Sequence, residues 1–393
     1  MKKIIALFCL SLALVLAIPA FANGSTPTGI NVPPLQRVSL SRDFTNLAFD
    51  EQIFWGRNGK PADKRSLLQA VDHSLRYLNT PTAARAYSNY PVEGITVDRV
   101  RRSLVRFRQL VANSRSPEEL QGAVQREFTF YKSSGRDASG DVHFTAYYVP
   151  MYQASRVRTE EYRYPLYRKP VDLERWTLPH PTRAELEGID GTGSSSSLRG
   201  SELVWFRDRL EAFLVHIQGS ARLQLTDGTE ISIGYAGSTD YDYVSLGREM
   251  ANDGRIASTG ISIPVIIDYF KRVPQDLDVF LPRNNRFIFF RETNGEPPSG
   301  SIGVPVTADR SIATDKAMMP PGALALVHTR IPFRTADGAM ETPVVSRFVL
   351  DQDTGSAIKS PGRVDLFLGM GQEAGDRAGI VGWTGELYYL LLK

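Results

Sequence analysis

The sequence predicts an α+β fold, helical at the front and mainly β behind, on three observations. Helical spacing of apolar residues dominates before about residue 130, strand-type alternation dominates after Asp141, and the two do not interleave as a parallel βαβ sheet would require. The 393 residues are 42% hydrophobic and 23% charged, enough for two domains with a sizeable buried core. Formal charge is +3. Discounting Lys2 and Lys3 of the leader leaves about +1, so no nucleic-acid surface is implied. The single cysteine, Cys9, lies in that leader, which leaves the remainder without a disulfide, a thiolate nucleophile or a cysteine metal site.

The leader covers residues 1–22. Lys2 and Lys3 precede an apolar run from Ile4 to Ile18, and Ala20-Phe21-Ala22 makes a small-x-small cleavage site before Asn23. The run is shorter than the ~20 residues a membrane span needs. Cys9 follows Phe8 in mid-run, away from the site where a lipid would be attached. The expectation is an exported chain cleaved after Ala22, soluble and not stably inserted in a membrane.

Asp63 is placed to cap a helix carrying Leu67, Val71, Leu75 and Leu78 on one face. Thr96 opens a second helix, with Val97, Val100, Leu104, Phe107 and Val111 on one side. Arg99, Arg101, Arg102, Arg106 and Arg108 on its other side form either a solvated face or a surface for an anionic polymer. Ser116-Pro117-Glu118-Glu119 starts a third helix toward Phe130. Phe144–Val149 then reads as a strand, and Phe213–Gln218 as a further extended run. Leu223–Leu225 and Ile231–Ile233 flank an Asp227-Gly228 hairpin turn. Gly191–Ser197 has no packing residues and reads as a mobile loop. Short helices are expected at Ser245–Asn252 and Pro264–Arg272. Strands are expected at Phe287–Phe290, near Val304, and at Ala323–Val327, Ser346–Leu350 and Leu387–Leu392.

Most familiar chemistries find no support. The five histidines are scattered singly, without metal-ligand spacing, and His216 in its apolar run reads as structural. No G-x-S-x-G elbow is present. Gly369–Gly375 resembles a dinucleotide loop, but its glycine spacing is wrong and too little chain follows it. Carboxylates remain: Asp315, Asp353 and Asp365, each beside turn-forming residues. Val364, Leu366 and Phe367 surround Asp365 with apolar side chains, a setting that desolvates a carboxyl and raises its pKa. Aspartates near glycines also make turns, and spacing alone favours that ordinary use.

The motifs carry a resemblance. QDTGSAIKSPGRVDLFLGMGQEAGDRAG, within Val304–Lys393, is similar to the core of the 3D domain, with Asp315, Asp353 and Asp365 on its three-aspartate pattern. FTAYYVPMYQASRVRTEEYRYPLYRKP, FLVHIQGSARLQLTDGTEISIGYAG and VSLGREMANDG resemble the membrane-bound lytic murein transglycosylase A (MltA) family, in the family's order. The resemblance implies a double-psi β-barrel in a discontinuous catalytic part, 23–145 and 244–393, with a second β domain inserted over 146–243. It implies lytic cleavage of the β-1,4 bond between N-acetylmuramic acid and N-acetylglucosamine in peptidoglycan, with 1,6-anhydro ends. No metal or other cofactor is implied, and the compartment would be the periplasm or cell envelope. Asp365 falls on the family's catalytic aspartate. Thr145, Gln218, Ser220, Tyr235, Ala236, Gly237, Asp353, Thr354 and Gly355 fall on its glycan-binding positions.

One carboxyl suffices for such a reaction, because the muramyl C6 hydroxyl attacks its own C1 and no water needs activation. A hydrolase would need a second carboxylate, for which Asp353 is the candidate. A glycan-binding protein or wall scaffold would need neither. Tyr147, Tyr148 and Tyr235 are placed either to stack on sugars or to fill the core.

Overall fold

A computed structural model describes residues 32–39, 46–56 and 61–393; the leader lies outside them. The described residues begin with strand β1 (Leu35–Val38), followed by helices α1 (Lys64–Leu78), α2 (Pro81–Tyr87), α3 (Val97–Asn113) and α4 (Pro117–Glu127). Strands β2 (Phe128–Ser133), β3 (Val142–Val149), β4 (Met151–Ala154) and β5 (Tyr164–Tyr167) come next, then α5 (Arg183–Glu187), β6 (Glu202–Phe206) and α6 (Arg209–Gln218). The hairpin β7 (Ser220–Leu225) and β8 (Glu230–Ser238) precedes α7 (Leu246–Asn252), α8 (Ile263–Arg272), α9 (Leu277–Phe280) and β9 (Ile288–Glu292). The last part contains β10 (Ser311–Ala313), β11 (Leu324–Arg330), the short pair β12 (Phe333–Arg334) and β13 (Met340–Glu341), then β14 (Val344–Asp353), β15 (Arg363–Met370), α10 (Gly371–Ala378) and β16 (Trp383–Leu392). This is the expected α+β class, mostly sheet.

The largest sheet runs β1-β2-β16-β11-β14-β10-β15-β3, and an extra pairing of β16 with β3 closes six of its strands into a ring. Two pairings, β10 with β14 and β15 with β3, are parallel. Helices α1 and α3 cover this barrel, and Phe107 from α3 meets Phe348 of β14 at 4.9 Å between ring centres. A second sheet, β4-β7-β8-β9, has its own core around Leu223, Ile233 and Phe290. Its strand β9 comes from residues beyond 243.

Local chemistry explains most elements. Thr96 and Ser116 cap α3 and α4 through the backbone N–H of Arg99 and Glu119. The Asp227-Gly228 turn joins β7 to β8 with Gly228 at φ 85°. The arginines of α3 are already engaged: Arg101 and Arg102 pair with Asp98, Arg106 with Glu127, Arg108 with Asp72, and Arg99 donates to the carbonyl of Leu392. That face is solvated, and three carboxylates offset part of its charge.

Four expectations need correction. Phe213–Gln218 is the end of α6, capped by Asp208 and closed by Gly219 in the left-handed region, not an extended run. Its apolar residues show no helical stripe because opposite faces pack into different cores, Ala212 and Val215 under the second sheet, Phe213 and Leu214 against α7 and α8. Gly191–Ser197 packs rather than floats: Ser196 donates to the carbonyl of Leu186, and a Cβ on Gly193 would fall 2.1 Å from Tyr167 Oη. Asp63 does not cap α1 through its side chain, since its carboxylate is committed to Arg310. Val304 is buried in a connector, where only a single bridge, Ser299 to Pro305, forms.

That arginine anchors the helical layer to the barrel. Arg310 is fully buried, with Nη1 donating to Asp50 Oδ2 at 2.5 Å and to the carbonyl of Phe348 at 2.8 Å, and Nε to Asp63 Oδ2 at 2.8 Å. Burial opposes its charge, but the fields of Asp50 and Asp63 outweigh burial and hold the guanidinium above its ordinary pKa. Removing one partner of a buried pair strands the other. Asp50→Ala is therefore expected to lower stability by about 3–5 kcal/mol, measured by urea unfolding. An unchanged urea midpoint would remove this anchor from the account.

Candidate active site

A cleft of about 840 Å³ opens where the barrel meets α6, α7 and α8. One wall is apolar, with Leu214, Ile217, Ile263 and Ile266; the other is built by β3, β15 and the loop after β14. Strands β3 and β15 run parallel in a register that sets Asp365 opposite Thr145. Alternation along β15 sends Val364, Leu366 and Leu368 into the barrel core, so Arg363 and Asp365 face the other way, into the cleft. Val364 and Leu366 therefore face away from Asp365, and of its three apolar sequence neighbours only Phe367 lies on the same face of the strand.

Asp365 is partly buried, and its Oδ1 is shielded from solvent with no hydrogen-bond partner among the described residues. Burial pushes its carboxyl up to about 6; the nearby Arg363 pulls it down and Asp353 adds to the rise. Thr145 accepts from Arg363 Nη2 at 3.1 Å. Gln218, at the end of α6, lines the cleft and accepts weakly from the Tyr148 N–H at 3.4 Å. Gly355 also lines it.

The remaining expected site residues lie outside the cleft lining. Asp353 sits behind Tyr147, whose Oη donates to Asp353 Oδ2 at 2.7 Å, while the N–H groups of Ser301 and Thr354 both donate to Oδ1 at 2.8 Å. Burial raises its pKa, and those three hydrogen bonds oppose the rise. Thr354 is exposed beside it and donates to the carbonyl of Thr314. Ser220 begins β7, and Tyr235, Ala236 and Gly237 lie on β8. There a bulge between Tyr235 and Gly237 leaves Tyr235 53% exposed. Asp315 holds a turn, accepting from the N–H groups of Ala317 and Ser360.

Tyr147 packs on Phe367, and Tyr148 covers Gly375 of α10, where a Cβ would come within 2.9 Å of the ring. The glycine-rich stretch 369–375 thus turns β15 into α10 along the cleft. His216 is a buried structural residue: its Nδ1 accepts from Ile288 N–H at 3.0 Å and its ring packs edge-on against Phe287. Burial holds its pKa well below the ordinary histidine range. Among the described residues no group of three or more His, Cys, Asp or Glu side chains is arranged to hold a metal ion, and no helix is long and apolar enough to cross a membrane.

Sequence reasoning missed Arg363, Tyr243, Arg248 and Lys359, all lining the cleft. Only Arg363 had a legible signal, its position two residues before Asp365 in a strand. It also missed Asp351, a fully buried carboxylate accepting from Thr314 and Tyr389 and paired with Lys316.

Comparison with known proteins agrees with this architecture. The MltA specific insert domain matches residues 143–291 and the 3D domain residues 310–391. Membrane-bound lytic murein transglycosylase A of Escherichia coli K12 is 29% identical over 262 residues, covering 66% of this chain and 68% of its own. A membrane-bound lytic murein transglycosylase from Agrobacterium tumefaciens superposes with a TM-score of 0.67 at 27% identity, over 91% of this chain and 97% of that one. E. coli MltA with bound chitohexaose has the same TM-score at 22% identity, over 93% and 96%, a likeness of fold. The chain thus carries the MltA specific insert domain and the 3D domain in order and shares its fold over about nine-tenths of its length with a membrane-bound lytic murein transglycosylase, so it is similar to the membrane-bound lytic murein transglycosylase A family.

Proposed function

We propose that this protein is a peptidoglycan lytic transglycosylase, a carbon–oxygen lyase that cuts between N-acetylmuramic acid and N-acetylglucosamine and leaves 1,6-anhydromuramyl ends. The observation that carries the reading is Asp365 itself, a carboxyl facing the cleft, unpartnered at Oδ1 and pushed up to about 6. The names of the relatives support the substrate class. We read the six-stranded ring with its two parallel pairings as the double-psi barrel, and 146–243 as an inserted part whose sheet is completed by β9. Export with cleavage after Ala22, and action in the periplasm or cell envelope, belong to the same proposal.

Protonated Asp365 donates to the glycosidic oxygen as the C1–O bond breaks. Its carboxylate then takes the proton of the C6 hydroxyl as that oxygen bonds to C1, so the enzyme returns to its starting state. The attacking hydroxyl is tethered to the same ring, and a cleft that holds the sugar in a reactive conformation turns proximity into rate. Asp353 is a poor second carboxylate, because Tyr147, Ser301 and Thr354 already occupy its oxygens. Its role here is to hold Tyr147 and the loop to Gly355. Thr145, Gln218 and Gly355 line the sugar-binding cleft, and Ser220, Tyr235, Ala236, Gly237 and Thr354 extend the groove beyond it.

Asp365→Asn is expected to cost ~10²-fold or more in turnover, because the amide keeps the shape but cannot donate and retake a proton. Near-normal release of muropeptides would move the acid elsewhere. The same variant carries a stability signature. Folding raises this carboxyl above its unfolded value, so its contribution is fully present below pH 4 and is lost as pH rises through about 6. Asp365→Asn should therefore melt higher than the parent above pH 6, on the order of a few degrees, and equally below pH 4.

The rate follows the acid form. kcat/KM is expected to fall about tenfold per pH unit above a midpoint near 6, since the free enzyme must start protonated at Asp365. A profile flat from pH 5 to 8 would contradict the assignment. Digestion in water enriched in heavy oxygen separates lyase from hydrolase: unlabelled anhydro ends are expected, and labelled reducing ends as the main product would require a hydrolase.

A further inference from the structure

The cleft holds positive charge that its own acids leave unneutralised. Arg248, Lys359 and Arg363 all line it, and among the described residues none forms an ion pair with a carboxylate. Of the aspartates there, Asp376 is engaged by Arg334 at 2.6 Å, Asp242 stands exposed, and Asp365 is the carboxyl already assigned to proton transfer.

Arg363 is the most constrained of the three cations. Its Nη2 donates to Thr145 Oγ1, which draws the guanidinium toward β3, while its Nε is buried with no acceptor among the described residues. A buried donor without a partner costs free energy until something supplies an acceptor. Arg363 and Asp365 lie two residues apart on one face of β15, about 6–7 Å along the strand, a spacing comparable with the width of a sugar ring. Tyr243 connects the set: its phenol, pushed up mainly by burial, lies in the fields of Arg363, Asp365 and Arg248.

A guanidinium with free N–H groups is matched by a carboxylate, and N-acetylmuramic acid differs from N-acetylglucosamine by the lactyl ether on C3, which ends in a carboxyl. That carboxyl is free in a stripped strand. In an intact strand it is amide-linked to a stem peptide that brings carboxylates of its own. We propose that Arg363, with Lys359 and Arg248, binds a carboxylate on the sugar seated beside Asp365, so that the cleft selects acid-bearing muramyl strands over neutral N-acetylglucosamine chains. The proposal rests on the lytic reading above and adds to it the feature of the substrate that is recognised.

The test is calorimetric binding to Asp365→Asn protein, with three ligands: a peptide-free muramyl strand with free lactyl carboxylates, the same strand carrying stem peptides, and chitohexaose. Adding Arg363→Gln is expected to weaken a carboxylate-bearing strand about tenfold or more and chitohexaose less than about twofold. Adding Lys359→Gln instead should act in the same sense by a smaller factor. That side chain is exposed and has no partner among the described residues, so its loss leaves the fold intact even if Arg363→Gln disturbs it. A loss shown by the peptide-free strand assigns the lactyl carboxylate, and a loss confined to the stem-bearing strand assigns the peptide. Equal losses for all three ligands, or none for any, would overturn the proposal. Failure of the lytic reading would show separately, as labelled reducing ends from the unsubstituted enzyme, with these binding preferences unaffected.

Discussion

The barrel and its helical cover are joined by a chain of buried charges on which the rest of the structure depends. Arg310, Arg347 and Arg377 are all withdrawn from water, and Asp50, Asp63 and Asp309 are distributed among them. Desolvating ions is costly and is offset only when geometry and hydrogen bonds are good. Here Arg310 also binds the carbonyl of Phe348 and Arg377 that of Pro332, so each guanidinium ties a carboxylate to backbone. Arg347 has the poorest share, with ion-pair distances of 3.9 Å, and burial together with the neighbouring Arg310 holds its pKa below the ordinary value. Asp50 is shared by Arg310 and Arg347, as Asp309 is by Arg347 and Arg377, and through Asp50 the segment before α1 is fixed to β14.

The cleft follows from that frame. Arg377 lies in α10 and Asp309 just before β10, so their bidentate pair sets α10 against the strand layer that carries Asp365. Gly375 then lets the helix approach Tyr148 of β3. The parallel contact of β3 and β15 puts Thr145, Arg363 and Asp365 on one floor. Strand alternation separates the two duties of β15, packing the barrel with one set of residues and lining the cleft with the next. The polar groups are positioned by regular strands, which hold geometry more tightly than loops.

What was legible in the sequence was what local rules control. Caps at Thr96 and Ser116, the Asp227-Gly228 turn and the apolar faces of α1 and α3 depend on residues within a few positions of one another. The three aspartates were legible too, but their different fates were not. Asp365 faces the cleft, Asp353 is tied up behind Tyr147 and Asp315 holds a turn, and partners more than 30 residues away decide each outcome for the first two. Helix α6 was hidden because burial on both sides erases amphipathic spacing. Short α2 and α10 were hidden because few of their residues are buried, Ala83 and Tyr87 in one, Ala374, Arg377 and Ala378 in the other. Of the cleft cations only Arg363 left a signal; Arg248 and Lys359 left none, because the feature all three share, the lack of a paired carboxylate among the described residues, is revealed only by three-dimensional neighbours.

The ring closure has a consequence for how the chain reaches this state. Strand β3 finds its partners β15 and β16 across more than half the sequence, and the first residues of β16 seal the ring while its last residues extend to β2. Until β16 has been synthesised, both β2 and β3 present unpaired edges, and the barrel has no closed intermediate built from its early strands alone. Loop closure over such distances precedes the contacts that reward it, which slows assembly and leaves strand edges open to other chains meanwhile. Assembly of the closed ring is thus postponed until the last strand of the sheet is available.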